Sequence, residues 1–359
     1  MERNSLTSST IDSLRFPLIV PVVCIHSISS WFASQPFNPS LYGLTAVVFV
    51  FKVLTRTAVP LLFAISGYLY FLKYDGLRQF YVRQYKRRLT SLLVPYILWN
   101  LIFYAVSAFG ESGAIPFDAD WLMSVFCNYD IANTDAPMAF FSPMRTRIDF
   151  PLWYVFDLMI LSVVAPVIGY ILRHKVPGGA VITLLIVAFI VGWWPLQFIN
   201  CTSVVFFALG AYLSINRVDM VAWLRRVKSW YIAGIALVWL AFAAVDMALV
   251  QSYAALRCHA LHIIVGVPLT FIVASRIVVS GHQICRTLSR TSFVVFAFHG
   301  LISYKVSDCI MSAVTGYGLR FFGAYILSVT VTLTISIGVY YALRVASPRL
   351  LHVLTGSRD

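Results

Sequence analysis

The chain predicts an all-α fold, a polytopic membrane helix bundle of about ten transmembrane helices with both termini cytoplasmic. Three observations carry this: 60% of its 359 residues are apolar, only 11% are Asp, Glu, Lys or Arg, and the apolar residues fall into long runs. An average soluble domain is roughly one quarter charged. With so few charges, an apolar core of this size would be left without a polar surface in water.

A spanning helix needs about 20 mostly apolar residues, since helices rise roughly 1.5 Å per residue across a hydrocarbon core of about 30 Å. Suitable runs lie near 14–33, 45–72, 89–109, 151–172, 180–196, 199–215, 229–248, 259–279, 291–310 and 321–345. Between the fifth and sixth, Trp193, Trp194 and Pro195 leave room only for a very tight turn, and a broken or re-entrant segment is the alternative there. Pro17, Pro21, Pro60 and Pro166 fall within runs and are expected to kink helices without ending them, because neighbouring helices satisfy the freed carbonyls. All ten runs belong to one domain over 1–359, with an exterior loop at about 110–150.

Charge placement sets the orientation. Lys73, Arg78, Arg83, Lys86, Arg87 and Arg88 follow the second run, and Arg173, Lys175, Arg217, Arg225, Arg226, Lys228, Arg286 and Arg290 fall in later alternate connections. The positive-inside bias assigns these, the N-terminus and the region from Arg344 to Arg358 to the cytoplasm. The segment 110–150 is acidic by contrast, with Glu111, Asp118, Asp120, Asp130, Asp135 and Asp149 against Arg145 and Arg147. The net charge of +13 is therefore an orientation signal and not a nucleic-acid surface.

The first run has polar residues in its interior and no small-residue cleavage pattern, so it is expected to stay as a span. Cys127, Cys258 and Cys309 fall toward the exterior without metal-type spacing; free thiols and a disulfide both stay open. No internal repeat, dinucleotide fingerprint or phosphate loop is visible, and no soluble catalytic domain is fused at either end. Chemistry is expected among the helices.

Ionisable residues inside spans are costly in lipid and usually face a bundle interior or wet cavity. His26 falls in the outward half of the first span. Lys52 and Arg56, four apart on the second, are expected to share a helical face at comparable depth. A neutral histidine near two cations can act as a base; a helix-to-helix hydrogen bond is the plainer role. Asp157, one turn after Trp153 and Tyr154, is expected to pair with Lys52 or Arg56. His299 closes the aromatic run from Phe293 to Phe298, and Lys305 lies beyond it. Each of these can also simply lock the bundle.

These residues carry a resemblance. The chain resembles the acyltransferase 3 family of membrane-bound, typically bacterial enzymes that add acetyl, succinyl or related groups to cell-surface saccharides. The match begins with Asp12, then Arg15 followed after ten residues by His26. It continues through Arg56-Thr57-Ala58-Val59-Pro60-Leu61-Leu62-Phe63 into Ile65-Ser66-Gly67-Tyr68, and through the basic stretch Arg83 to Arg88 into Pro95-Tyr96. Leu152-Trp153-Tyr154 and Phe296-Ala297-Phe298-His299 complete it, so the ordered set covers nearly the whole chain. Two departures stand out: the connection 110–150 is longer than in compact members, and the hydrolase-like C-terminal domain of some members is missing.

The resemblance implies an integral membrane O-acyltransferase of the bacterial cytoplasmic (inner) membrane. Its donor substrate is acyl-CoA from the cytoplasm, acetyl-CoA first and succinyl as the alternative, with no metal; its acceptor is a saccharide or glycolipid hydroxyl on the exterior side. Acyl transfer needs a base at the acceptor hydroxyl and a cation or donor group at the developing oxyanion. His26 is the expected base and Arg56 the expected oxyanion or thioester contact. Arg15, paired with Asp12, is better placed to meet the donor. Arg83, Arg87 and Arg88 suit the phosphates of coenzyme A, although topology alone also accounts for them. Ser66-Gly67 permits close approach of a helix or the pantetheine arm. Lys52, Trp153, Tyr154, Asp157 and His299 are the expected acceptor contacts, with Trp153 and Tyr154 at the exterior rim. Membrane lipids are the other expected partners and nucleic acid is not one. A polysaccharide exporter or flippase, and a structural partner in a surface-glycan assembly complex, are the competing classes; only an enzyme requires His26 and a thioester.

Overall fold

The computed structural model describes residues 2–27, 42–111, 150–196, 198–218, 227–248, 253–281, 286–314 and 316–357. Among the described residues, eight helices are long and apolar enough to cross a membrane, and two shorter apolar helices, Lys175–Val191 and Cys201–Ile215, bring the bundle to the ten expected. The protein is a multi-pass membrane protein. The expected exterior loop at 110–150 lies almost wholly outside the described residues.

Helix α1 runs over Glu2–His26 and carries Pro17 and Pro21 without interruption. The second span is composite: α2 (Tyr42–Val47) passes into a π-helical turn at Val48–Val53, a 3-10 turn at Leu54–Thr57 and then α3 (Ala58–Tyr70). The third is likewise composite, with α4 (Arg78–Arg88), a π-helical turn at Leu89–Leu93 and α5 (Val94–Glu111). The basic stretch is thus a helix continuous with the span, where the sequence had suggested a connection. A short 3-10 turn, Phe150–Leu152, opens α6 (Trp153–Leu172); α7 (Lys175–Val191), α8 (Cys201–Ile215), α9 (Ser229–Ala248), α10 (Tyr253–Val279), α11 (Arg286–Met311) and α12 (Leu319–Ala346) follow.

The tight turn between the fifth and sixth spans is built locally. Gly192, with φ of 80°, ends α7 in a left-handed conformation that side chains disfavour. The indole N–H of Trp194 donates to the Ile199 carbonyl at 2.8 Å, and the Asn200 side chain accepts from the Thr202 N–H at 2.9 Å to cap α8. These local bonds satisfy the backbone that a sharp reversal leaves open, so two separate helices form.

Small residues set the closest helix contact. A Cβ on Gly67 of α3 would overlap the Phe207 carbonyl, and one on Gly210 of α8 would overlap the Ala64 carbonyl, so each glycine admits the other helix's backbone. Parallel α1 and α11 are held at both ends, where Ser289 Oγ donates to the Asp12 carbonyl at 2.9 Å and Ser307 Oγ to the Ser27 carbonyl at 2.7 Å. Tyr325 on α12 donates to the Cys24 carbonyl at 2.6 Å. A last amphipathic helix, α13 (Pro348–Thr355), buries Leu351 and Leu354 against the bundle. Trp99 of α5 donates its indole N–H to the Leu354 carbonyl at 3.1 Å.

Candidate active site

His26 closes α1, half-buried, and its ring lies beside that of fully buried His299 on α11, with centroids 5.6 Å apart. His299 Nδ1 is 3.0 Å from the Val295 carbonyl one turn earlier. A carbonyl only accepts, so Nδ1 carries the proton and Nε2 keeps its lone pair. Two residues 273 positions apart in sequence thus meet, a juxtaposition not expected from sequence.

Arg56 sits on the 3-10 turn that follows the π-helical turn, and this turn packs against both α1 and α10. π-helical insertions recur at functional sites because they re-aim side chains that an α-helix would point elsewhere. Across this switch of helix type the four-residue spacing of Lys52 and Arg56 no longer implies the shared α-helical face expected from sequence. The Lys52 side chain lies outside the described residues.

An acid near Arg56 is Asp246, reached through His259, a partner not expected from sequence; the expected pairing of Asp157 with Lys52 lies outside the described residues. Arg56 Nη1 lies 3.2 Å from Nδ1 and 3.3 Å from Nε2 of His259 on α10. His259 Nδ1 lies 2.9 Å from Oδ2 of Asp246 on α9. Since a carboxylate only accepts, Nδ1–H donates to Asp246, and Arg56 Nη1, nearly equidistant from the two ring nitrogens, lies against the imidazole. His262, one turn further along α10, stacks on Trp239 of α9 with ring centroids 5.2 Å apart. Asp157 Oδ2 accepts from the Ser203 hydroxyl at 2.5 Å and the Asn200 N–H at 3.2 Å, tying α6 to the start of α8.

Asp246 and His259 were missed because the apolar run 229–248 hides its one acid near the end, and a span drawn from 259 puts His259 at the boundary. Both are nevertheless ionisable residues within hydrophobic helices, the signal by which they could have been found.

Trp153 and Tyr154 open α6, a helix long enough to span the membrane. The Trp153 ring packs on Phe63 at 5.9 Å, and Tyr154 contacts Phe63 at 4.6 Å and Phe296 at 5.7 Å. The Tyr154 hydroxyl lies 2.8 Å from Ser66 Oγ and 3.3 Å from the Leu62 carbonyl. The Phe150–Leu152 turn that precedes α6 packs against α11. Tyr154, Phe296, His299 and His26 then form an unbroken series of ring contacts, with Phe296 and His299 6.2 Å apart.

The basic stretch divides by face. Arg83 and Arg87 are exposed on one face of α4, and Arg83 Nη2 pairs with Asp75 Oδ2 at 3.1 Å. Arg88 turns inward: its guanidinium lies over the Tyr70 ring, 5.3 Å from the centroid. Among the described residues its buried Nε has no hydrogen-bond acceptor. Arg15 and Asp12 pair at 3.1 Å with both side chains about half exposed. Eleven residues along one helix separate Arg15 from His26 by about 17 Å, so they act at different levels of the bundle.

Over 235 residues the chain is 26% identical to the succinoglycan biosynthesis protein ExoH of Rhizobium meliloti (strain 1021), an overlap of 59% of this chain and 55% of the relative. The chain thus spans about half the length of that protein. No solved structure matches it. The profile of the acyltransferase domain called acyltransferase 3 matches residues 9–341, from α1 into α12 and including His26, Arg56, Arg88, Tyr154, Asp246, His259 and His299, and the chain belongs to that family.

Proposed function

We propose that the protein is an acyl-CoA-dependent O-acyltransferase of the bacterial inner membrane. It moves an acyl group, acetyl in the first instance and succinyl as the alternative, to a hydroxyl of an exported or cell-surface saccharide or glycolipid. The observation that carries this is the series of contacts from Ser66 and Tyr154 through Phe296 and His299 to His26. A base at one end of such a series, and Arg88 turned inward over Tyr70 from the basic helix as a cation suited to coenzyme A phosphates, are the groups that a donor entering from one side and an acceptor from the other require. That the similar protein takes its name from succinoglycan biosynthesis agrees with a glycan acceptor.

In this reaction His26 takes the acceptor hydroxyl proton as the oxygen attacks the thioester carbonyl. Negative charge gathers on the carbonyl oxygen, where Arg56 stabilises it. The carbon–sulfur bond then breaks and the thiolate of coenzyme A leaves, taking up the proton. Half-burial of His26 and Arg56 leaves each with accessible surface for substrate. Ser66 and Tyr154 line the route of the pantetheine arm, and Arg83 and Arg87 reinforce Arg88 at its mouth. Asp12 and Arg15 hold the inner end of α1 beside that entry. Trp153 and Asp157 support the walls of the site, and Lys52 contributes a second cation where the acyl group is anionic.

The test is to incubate the purified protein with a panel of acyl coenzyme A donors and the host's surface-glycan extract, then detect the transferred mass. A mass increment on the glycan that depends on one donor is expected. No increment with any thioester, from protein that binds coenzyme A, would contradict the assignment.

A further inference from the structure

Two adjoining hollows share one stretch of α10. The first is a cavity of about 260 Å³ between α1, α3, α8 and α10, walled by Leu61, Ile65, Leu209, Leu213, Val267 and Phe271. Among the described residues, Tyr68 is the only lining side chain that carries a polar atom. Water would find no partner in most of this space, and an engineered aliphatic cavity of about 150 Å³ already takes up benzene. It therefore suits hydrocarbon. The second hollow is an open groove of about 460 Å³, formed by Trp230, Tyr231, Gly234 and Val238 of α9 facing Val265 of α10. Ile264 and Pro268 stand in the walls of both.

The groove runs for about 12 Å along α9, eight residues at the standard rise from Val238 down to Trp230. Its foot has the marks of head-group level. Trp230 and Tyr231 are 63% and 49% exposed, and such amphipathic rings favour the membrane interface. Exposed Lys228 lies two residues before Trp230, and the Arg276 guanidinium of α10 donates to the neighbouring Val227 carbonyl. Two cations thus stand where the hydrocarbon track ends.

We propose that this foot of α9 and α10 binds an anionic phospholipid of the leaflet at that end of the bundle. Its phosphate meets Lys228 beside Arg276, one acyl chain lies in the groove over Gly234, and the second passes Pro268 into the cavity. Charge selects the occupant: an apolar track alone takes any lipid, whereas basic residues at its end favour a negative head group. The site is read by lipid binding, so its test stands apart from acyl transfer.

Purified protein in mild detergent is titrated with dioleoyl phosphatidylglycerol and, separately, with dioleoyl phosphatidylcholine, and bound lipid is counted by native mass spectrometry beside thermal stability. The parent should hold phosphatidylglycerol about fivefold more tightly, the scale of one basic residue at an anionic surface, and Lys228→Gln should lose that preference. Gly234→Leu should weaken phosphatidylglycerol binding about tenfold, as for two methylenes denied burial. A Cβ at Gly234 meets no heavy atom within 4 Å, so this substitution enters the groove without crowding the backbone. Ile186→Phe, which intrudes on the cavity from α7, should weaken binding to a similar degree; should that protein not fold, Gly234→Leu carries the test. Equal binding of the two lipids by the parent, an unchanged preference in Lys228→Gln, or undiminished phosphatidylglycerol binding in folded Gly234→Leu or Ile186→Phe would each overturn the proposal.

Discussion

Two polar groupings, His26 with His299 on α1 and α11 and Arg56 with His259 and Asp246 on the 3-10 turn, α10 and α9, are built on terms opposite to those of the basic face of α4. In these groupings, each half-exposed group is backed by a buried one: His26 by His299, Arg56 by His259 and Asp246. On the basic face, Arg83 and Arg87 stand in the open and only Arg88 turns inward, onto Tyr70. Buried polar groups are expensive unless paired, so their persistence inside a membrane bundle marks geometry held for a purpose. Exposed cations cost little and serve orientation and substrate attraction together.

If the two groupings perform the chemistry, they should be the more sensitive to substitution. His26→Ala is expected to reduce turnover by about a thousandfold, within the range for loss of a general base. Coenzyme A affinity and detergent-extracted yield should stay near those of the parent. Near-normal turnover in well-folded protein would reduce His26 to a packing partner of His299.

The basic face should show a smaller and divided effect. Arg88→Ala is expected to weaken coenzyme A binding about tenfold, as for one charge-assisted hydrogen bond. Arg83→Ala with Arg87→Ala together should weaken it about threefold, because exposed charges are screened and Arg83 is already paired with Asp75. A direct binding titration in which all three substitutions leave affinity unchanged would return the stretch to a purely topological role.

The same contrast explains what could be read from sequence. The ten helices were legible because lipid demands long apolar runs, a constraint written residue by residue. His26 and Arg56 were legible as ionisable residues inside such runs. Their partners were not, since the meeting of Arg56 with His259 and Asp246 depends on how α9 and α10 pack. The π-helical turns at Val48–Val53 and Leu89–Leu93 left no compositional trace, yet the first resets the register between Lys52 and Arg56. The partners of Trp153 and Tyr154 were hidden for a related reason. An aromatic pair opening an apolar run marks the end of a span, but which helices it meets depends on packing, and here Phe150–Leu152 rests on α11 and Tyr154 meets Ser66.

Sidedness tests the account most directly. With the protein reconstituted in one orientation in sealed vesicles, acyl-CoA is supplied only on the face bearing Arg83, Arg87 and Arg88 and the saccharide only on the opposite face, and transferred mass on the glycan is measured. Transfer across the sealed membrane, lost in His26→Ala, is the predicted result. Transfer only when both substrates share the face of the arginines would contradict a site that takes donor and acceptor from opposite sides.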